Sequence, residues 1–288
     1  MFFVCLPEQT WLHYGKTVSK EDTVMEYFKA LRPHQGVRAV LLTLVGFRVA
    51  SHWNVWYTIL VVLNVLITVG AIMVWNDYRD RVQDVLKGKS LAYDNPKKYL
   101  QFSIRLWCFS GILSAALLLF SYKAFLLAIG MNLIGCLYSV AIIKIPILPT
   151  FTVAGLSAAV TLYPACVPGG RNSTLPYLAL ITFCLIFARE IMSDIGDVEV
   201  DREHKITIPM LLGEDGAKVC VLFALLAVIG SALAASPIIG GTLAVGIFIY
   251  VREVVMYQLI ADGYKEARGW LDLLNLLMMT AFLVFGKL

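Results

Sequence analysis

Charged residues are scarce in this chain. Asp, Glu, Lys and Arg make up 15% of the 288 residues, whereas apolar residues make up 59%, and the mean hydropathy is +0.76. Soluble domains carry about 25% charged residues, so this composition excludes an ordinary soluble protein and indicates a membrane protein. The net charge of +4 is explained by the placement of basic loops, and we expect no nucleic-acid partner.

Histidine and cysteine are also rare, with four and six residues respectively. The cysteines show no short paired spacing, which argues against a disulfide framework or a zinc site. The sequence also has no cluster rich in histidine, which argues against an iron centre. The N-terminus lacks the basic start and the apolar length of a signal peptide.

Nine apolar runs approach the length of about 20 residues that a transmembrane helix needs. They predict an all-α polytopic membrane protein, a bundle of nine transmembrane helices in one domain over 1–288. Residues 1–35 are expected to form a tail with an interfacial helix over 19–31. The runs cover 36–52, 55–75, 101–120, 123–143, 147–165, 176–193, 217–235, 238–261 and 270–286.

Basic residues are unevenly divided between the two sets of loops. If the N-terminus is cytoplasmic, the loops after the second, fourth, sixth and eighth runs hold most of the Lys and Arg, and the opposite loops keep only Lys123 and Arg171. Cytoplasmic loops retain positive charge. We therefore predict a cytoplasmic N-terminus and cytoplasmic loops after these runs.

Two of those cytoplasmic loops begin with the same spacing of aspartates. NDYRDRVQD starts at Asn76 and DIGDVEVD starts at Asp194, each at the end of an apolar run. On one continuous helix the three aspartates of each stretch share a face, and their mutual repulsion predicts a compensating cation. The aspartates are Asp77, Asp80 and Asp84 in the first stretch and Asp194, Asp197 and Asp201 in the second.

Carboxylate oxygens are the ligands that Mg²⁺ prefers, and Mg²⁺ commonly bridges to substrate phosphates. Two facing clusters are therefore suited to hold two or more Mg²⁺ ions with a diphosphate between them. A single spacing of this kind is common on solvated helix faces. Two copies on the same side of the membrane favour the functional interpretation.

The sequence resembles the UbiA superfamily of intramembrane prenyltransferases in several stretches. These are NDYRDRVQD at 76–84, YSVAIIK at 138–144, REIMSDIGDVEVDREHKITIP at 189–209 and LRPHQ at 31–35. The resemblance implies an all-helical bundle around a central cavity that opens to the lipid, with a diphosphate site under a cytoplasmic cap.

The resemblance also implies roles for individual residues. Asp77, Asp80, Asp84, Asp194, Asp197 and Asp201 are expected to hold Mg²⁺, and Asp77, Asp80, Asp194 and Asp197 are the expected catalytic residues. Asn76, Lys144 and Arg189 are expected to bind the diphosphate of a geranyl, farnesyl or geranylgeranyl donor. Two alternatives stay open: Lys144 could be an interface lysine, and Arg189 could pair with Glu190 or an aspartate.

The second substrate is left open by the sequence. The stretch after Asp84 lacks the Arg-Pro-rich segment of many family members, so the prenyl group could pass to a lipophilic acceptor or cyclise on itself, as in UbiA-type terpene cyclases. Arg48 and Arg105 are candidates for binding an acidic acceptor, or they could snorkel to the interface. Candidate aromatic faces for a carbocation are Tyr57, Trp75, Tyr138 and Phe187.

A transporter or a membrane scaffold is the alternative from another functional class. Transporters place ionisable groups near the bilayer midplane, whereas these acids lie at span ends. A scaffold has no need for two aligned acid clusters. The sequence therefore favours an enzyme.

Overall fold

Nine long helices account for most of the described chain. The computed structural model describes residues 27–51, 53–86, 91–170, 172–201, 205–258 and 264–285, and within these ranges it contains helices and turns but no strand. The all-α prediction is confirmed. The helices are α1 Pro33–Ala50, α2 Val55–Arg79, α3 Pro96–Ala116, α4 Tyr122–Tyr138, α5 Leu148–Ala159, α6 Leu175–Gly196, α7 Ile208–Ala235, α8 Pro237–Gln258 and α9 Tyr264–Phe285.

Each of the nine predicted runs coincides with one of these helices. Two helices are extended by 3₁₀ turns, α3 by Leu117–Leu119 and α5 by Val160–Cys166. Among the described residues, six helices are long and apolar enough to cross a membrane: α2, α3, α5, α6, α7 and α9. The count of nine spans stays a prediction. Of the predicted interfacial helix, only 27–31 lie within the described residues, and 27–30 are helical.

Helix α6 is the most buried of these six. Its apolar window is 67% buried, compared with 22 to 44% for the other five. A helix that is apolar on all sides is stable when it is surrounded by other helices, and α6 packs against α5, α7 and α9. Charged side chains near its C-terminal end therefore lie inside the bundle rather than on its surface.

A network of buried polar side chains joins α2, α3 and α4. Thr68 donates to the Asn132 amide oxygen at 3.1 Å and shares a 2.7 Å hydrogen bond with the hydroxyl of Ser110. The Asn64 amide donates to the Ser114 hydroxyl at 2.9 Å and accepts from the Tyr163 hydroxyl at 3.1 Å. Hydrogen bonds between membrane helices contribute on average about 0.6 kcal/mol each, so this network fixes the relative positions of three helices.

Helix α1 approaches the 3₁₀ turn Val160–Cys166 very closely at Gly46. A Cβ atom at Gly46 would lie 2.4 Å from the backbone carbonyl oxygen of Thr161. No side chain can move aside here, because the obstructing atom belongs to the backbone. Glycine at 46 is therefore required for α1 to pack in this place.

We predict that Gly46→Ala lowers the midpoint of thermal unfolding in detergent, because overpacking costs about 1–3 kcal/mol. The matched control is Gly111→Ala, since a Cβ at Gly111 meets nothing within 4 Å. The control should be neutral or slightly stabilising, because alanine is the better helix former. Equal midpoints for the two variants would contradict the close packing at Gly46.

Candidate active site

Both acidic stretches turn at their second aspartate. Helix α2 ends at Arg79, Asp80 has φ −90° and ψ 7°, and a short helix follows over Arg81–Leu86. Helix α6 ends at Gly196, and Asp197 has φ −108° and ψ 7°. The expectation that each set of three carboxylates lies along one continuous helix is therefore wrong. The carboxyl end of a helix disfavours negative charge, which is consistent with a helix end at each of these positions.

Asp77 is buried and neutralised by an arginine from the start of α1. Its residue is 8% exposed, its carboxylate lies 2.6 Å from Arg32 Nη2, and it accepts a 3.3 Å hydrogen bond from the Tyr99 hydroxyl. Arg32 has φ 46° and ψ 62°, although a residue before proline favours extended backbone. This uncommon conformation occurs where the arginine pairs with Asp77.

Asn76 links Asp80 to the end of α4. Its amide nitrogen donates to Asp80 Oδ2 at 2.9 Å, and its amide oxygen accepts from the Ser139 hydroxyl at 2.9 Å. Asn76 therefore uses both ends of its side chain to hold the first acidic stretch beside α4.

Asp194 is buried and neutralised by a lysine that follows the second acidic stretch. Its residue is 5% exposed, its Oδ1 lies 2.7 Å from Lys205 Nζ, and its Oδ2 accepts from the Thr150 hydroxyl at 3.1 Å. The N–H of Ile147 donates to the carbonyl of Ile206 at 3.2 Å. This backbone bond joins the segment before α5 to the segment before α7, and so brings Thr150 and Lys205 to one carboxylate.

The two acidic stretches come together at Tyr138, the last residue of α4. The Tyr138 hydroxyl lies within electrostatic range of Asp80 from the first stretch and of Asp194 from the second, and also of Lys205 and Glu190. The ends of α2 and α6 therefore both lie near the end of α4.

The acidic groups fit a hard divalent cation by their chemistry. Among the described side chains, no three Asp, Glu, His or Cys groups lie together as a metal site, and the side chains of Asp84 and Asp201 lie outside this description. Buried carboxylates need a positive partner, which Arg32 and Lys205 provide for Asp77 and Asp194. Oxygen ligands at this position suit Mg²⁺.

A cavity of about 250 Å³ lies between α1, α2, α4, α5, α6 and α9. Along α2 its wall runs from Asn76 at the charged end to Val69 and Thr68, and along α1 from Arg38 to Leu42. One end is therefore charged and the remainder is mostly apolar. The polar and charged residues at the first end are Arg32, Gln35, Arg38, Asn76, Tyr138, Arg189, Glu190 and Arg268.

Comparison with known proteins identifies the family. Residues 39–282 match the UbiA prenyltransferase family. The chain belongs to this family. It is 30% identical over 251 residues to the digeranylgeranylglyceryl phosphate synthase of Pyrococcus horikoshii, an alignment that covers 84% of this chain and 90% of that relative.

Two solved structures share the fold of this UbiA-family protein. A structure of a digeranylgeranylglyceryl phosphate synthase has a TM-score of 0.70 and 21% identity, covering 93% of this chain and all of that one. A UbiA homologue from Archaeoglobus fulgidus, solved with GPP and Mg²⁺, has a TM-score of 0.69 and 17% identity, covering 91% of this chain and all of that one. The predicted resemblance and fold class are confirmed.

Of the three predicted diphosphate ligands of this UbiA-family chain, two line the cavity and one does not. Asn76 and Arg189 line the cavity, whereas Lys144 is exposed in a 3₁₀ turn after α4. Arg189 forms ion pairs with Glu190 and, at 2.8 Å, with Asp272 of α9. Pairing with Glu190 or an aspartate was the alternative to a diphosphate-binding role. Asp197 is exposed.

The other candidates from the sequence mostly lie elsewhere. Arg48 donates to the Leu283 carbonyl at 3.3 Å and Arg105 is exposed, and neither lines the cavity. Of the four candidate aromatic residues, Tyr138 alone is among the described cavity-lining residues. Tyr57 instead donates to the Tyr163 carbonyl within the core.

Sequence reasoning missed the basic residues that neutralise the acids. Arg32 lies in the LRPHQ stretch and Lys205 in the stretch at 189–209, both of which carry the family resemblance, but neither received a role. The signal available was the general rule that a buried carboxylate in an apolar bundle needs a cation. The rule does not say which basic residue supplies it.

We predict that Lys205→Met lowers the thermal unfolding midpoint in metal-free buffer and that added Mg²⁺ restores part of the loss. Removing one partner of a buried ion pair costs about 3–5 kcal/mol, and a divalent cation can neutralise Asp194 in place of the lysine. The control is Lys218→Met, which breaks an exposed pair with Glu214 and should change stability by under about 0.5 kcal/mol. A Mg²⁺ response equal in both variants would count against a metal at Asp194.

Proposed function

We propose that this protein is a Mg²⁺-dependent intramembrane prenyltransferase that ionises an isoprenyl diphosphate and transfers the prenyl group to a lipophilic acceptor. The observation that carries the proposal is the cavity, which joins a charged end beside two acidic stretches to an apolar interior. An isoprenyl diphosphate has the same division into a charged head and an apolar chain. Membership of the UbiA prenyltransferase family supports this assignment.

The acidic residues are assigned to the metal and the diphosphate. Bound Mg²⁺ supplies charge neutralisation that makes the diphosphate a better leaving group, and the A. fulgidus homologue with GPP and Mg²⁺ supports this cofactor. We assign the metal to the side chains named by the two motifs: Asp77, Asp80, Asp84, Asp194, Asp197 and Asp201.

Residues of the chain itself hold the substrate and exclude water. Arg32 and Lys205 form ion pairs with the two buried carboxylates. They therefore lie beside the proposed metal site, where they can donate hydrogen bonds to diphosphate oxygens. Asn76 holds Asp80 in position. Apolar walls such as Ile72 and Leu156 keep water from the allylic carbocation, and the ring of Tyr138 offers it a π face. Lys144, which is exposed near the same end, stays a candidate diphosphate ligand.

The acceptor is proposed from the relatives. Several are named digeranylgeranylglyceryl phosphate synthase, a name that supports a glyceryl phosphate acceptor over an aromatic one. Because these relatives are transferases, they do not favour the terpene cyclase alternative. An acceptor-dependent reaction is therefore the expected activity.

The membrane orientation and domain organisation are also proposals. The excess of Lys and Arg in the loops on the side of the two acidic stretches supports a cytoplasmic position for the site and the N-terminus. The family match over 39–282 supports a single domain.

We predict that Asp77→Asn and Asp194→Asn each lower Mg²⁺-dependent diphosphate release at least 100-fold, because each removes a buried charge from the proposed metal site. Diphosphate release from geranylgeranyl diphosphate by purified protein is the measurement, with size-exclusion elution as the test of folding. Asp215→Asn is the control, since the Asp215 side chain is fully exposed beside Lys218. Activity within threefold of the unaltered protein in both site variants would refute the assignment.

We predict that the donor stays largely intact when purified protein is incubated with Mg²⁺ and geranylgeranyl diphosphate alone, and that a prenylated product forms once a monoalkyl glyceryl phosphate is added. The physical reason is that the carbocation needs a nucleophile in a water-free cavity. Extracts are examined by mass spectrometry. A cyclic hydrocarbon or alcohol formed without acceptor would establish the cyclase instead.

A further inference from the structure

Three arginines from three helices line one side of the same cavity. They are Arg38 of α1, Arg189 of α6 and Arg268 of α9. Asp272 of α9 lies 2.9 Å from Arg38 Nη2 and 2.8 Å from Arg189 Nε. One carboxylate therefore holds two guanidinium groups in place, as a supporting side chain orients a ligand-binding group.

Among the described side chains, the positive charge of this arginine cluster exceeds the negative charge in contact with it. Arg189 also pairs with Glu190, while Arg268 donates to the Ser193 hydroxyl at 3.2 Å. Within the described part of the chain, the three guanidinium groups thus contact two carboxylates, and neither of these contacts Arg268. Arginines inside a membrane bundle are costly and usually functional, so an excess of one positive charge beside a cavity favours an anionic ligand.

The imidazole of His34, which lies just before the apolar run at 36–52, is affected by the positive charge of the same arginines. Partial burial lowers the pKa of His34, and the nearby guanidinium groups of Arg38, Arg32, Arg189 and Arg268 lower it further. Four guanidinium groups therefore lie close enough to act on the charge of His34.

Within α6, the arginine of the cluster lies on a different face of the helix from the acidic residue Asp194. Arg189 and Asp194 are five residues apart on α6, which places them about 140° apart around the helix and about 7.5 Å apart along it. Asp194 has its own positive partner in Lys205, and Asp77 has Arg32. The arginine cluster is therefore not simply the counter-charge of the metal-binding aspartates.

We propose that Arg38, Arg189 and Arg268 form a second anion site, which binds the oxyanion of the acceptor while the donor diphosphate occupies the acidic site. The inference rests on the proposed prenyltransferase function and names its second substrate as a lipid that carries a phosphate or carboxylate. Guanidinium groups bind both anions through paired N–H donors. Asp272 acts as a positioning residue for two of the three arginines.

The kinetic test compares acceptors that differ in charge. With Mg²⁺ and geranylgeranyl diphosphate, KM is measured for a monoalkyl glyceryl phosphate, for the monoalkyl glycerol without phosphate and for a hydroxybenzoate. Arg38→Gln and Arg268→Gln are used because both side chains are more exposed than that of Arg189 and their loss is less damaging to folding. The control is Arg48→Gln, on α1 with Arg38 but away from the cavity.

We expect Arg38→Gln and Arg268→Gln each to raise the KM for the anionic acceptor at least tenfold more than the KM for the donor. Arg268→Lys should bring the acceptor KM partly back toward that of the unaltered protein. The KM for the neutral glycerol should rise no more than in Arg48→Gln. Preference for the glyceryl phosphate identifies a phosphate ligand, and preference for hydroxybenzoate a carboxylate. An equal rise in KM for donor and acceptor would overturn the proposal, because the arginines would then serve the donor diphosphate.

A binding measurement separates this proposal from the reaction itself. In the Asp194→Asn background, the glyceryl phosphate should still raise the thermal unfolding midpoint, and adding Arg268→Gln should abolish that rise. A rise that persists with Arg268→Gln, or no rise with Asp194→Asn alone, would overturn the second anion site. Failure of the prenyltransferase assignment would instead appear as donor turnover that is independent of Mg²⁺ and of Asp77 and Asp194.

Discussion

A carboxylate at the end of an apolar helix bundle must have a positive partner, and the arrangement of this site follows from that requirement. Asp77 and Asp194 are both buried, and a basic side chain contacts each of them. The partners come from outside the two acidic stretches: Arg32 precedes α1, and Lys205 precedes α7. The pairing therefore ties the first and seventh helices to the ends of the second and sixth.

Helix α6 shows how one element serves several purposes. Its length is largely apolar and buried, which fixes it at the centre of the bundle. Its last two turns carry Arg189, Glu190 and Asp194, which point in different directions because successive residues are rotated by about 100°. The same helix therefore contributes to the arginine cluster, the cavity wall and the acidic site.

The cavity has its polarity because the lining residues of α1 and α2 each change from polar to apolar along the helix. In α1 the lining side chains pass from Arg38 to Leu42, and in α2 from Asn76 to Val69. The polar network of α2, α3 and α4 lies beyond the apolar section and is closed on itself by hydrogen bonds. It supports the cavity wall at Thr68 without bringing a charged side chain there.

The sequence alone determined the class of structure and predicted where the reacting end of the molecule lies. Apolar runs separated by basic loops predict a helical membrane bundle, and the repeated aspartate spacing predicts a cation and diphosphate site, since both signals are local and depend on a few consecutive residues. The break at Asp80 and Asp197 was not predictable from spacing, because ideal helical periodicity assumes that the helix continues.

Only the tertiary structure decided which residues face one another. Arg32 lies 45 residues from Asp77, and Asp272 lies 83 residues from Arg189, so no local pattern indicates either pair. Many basic residues could satisfy the charge of a given acid equally well. The choice among them is made by helix packing, which depends on the fit of side chains along whole helices, as the contact of Gly46 with the backbone of Thr161 shows.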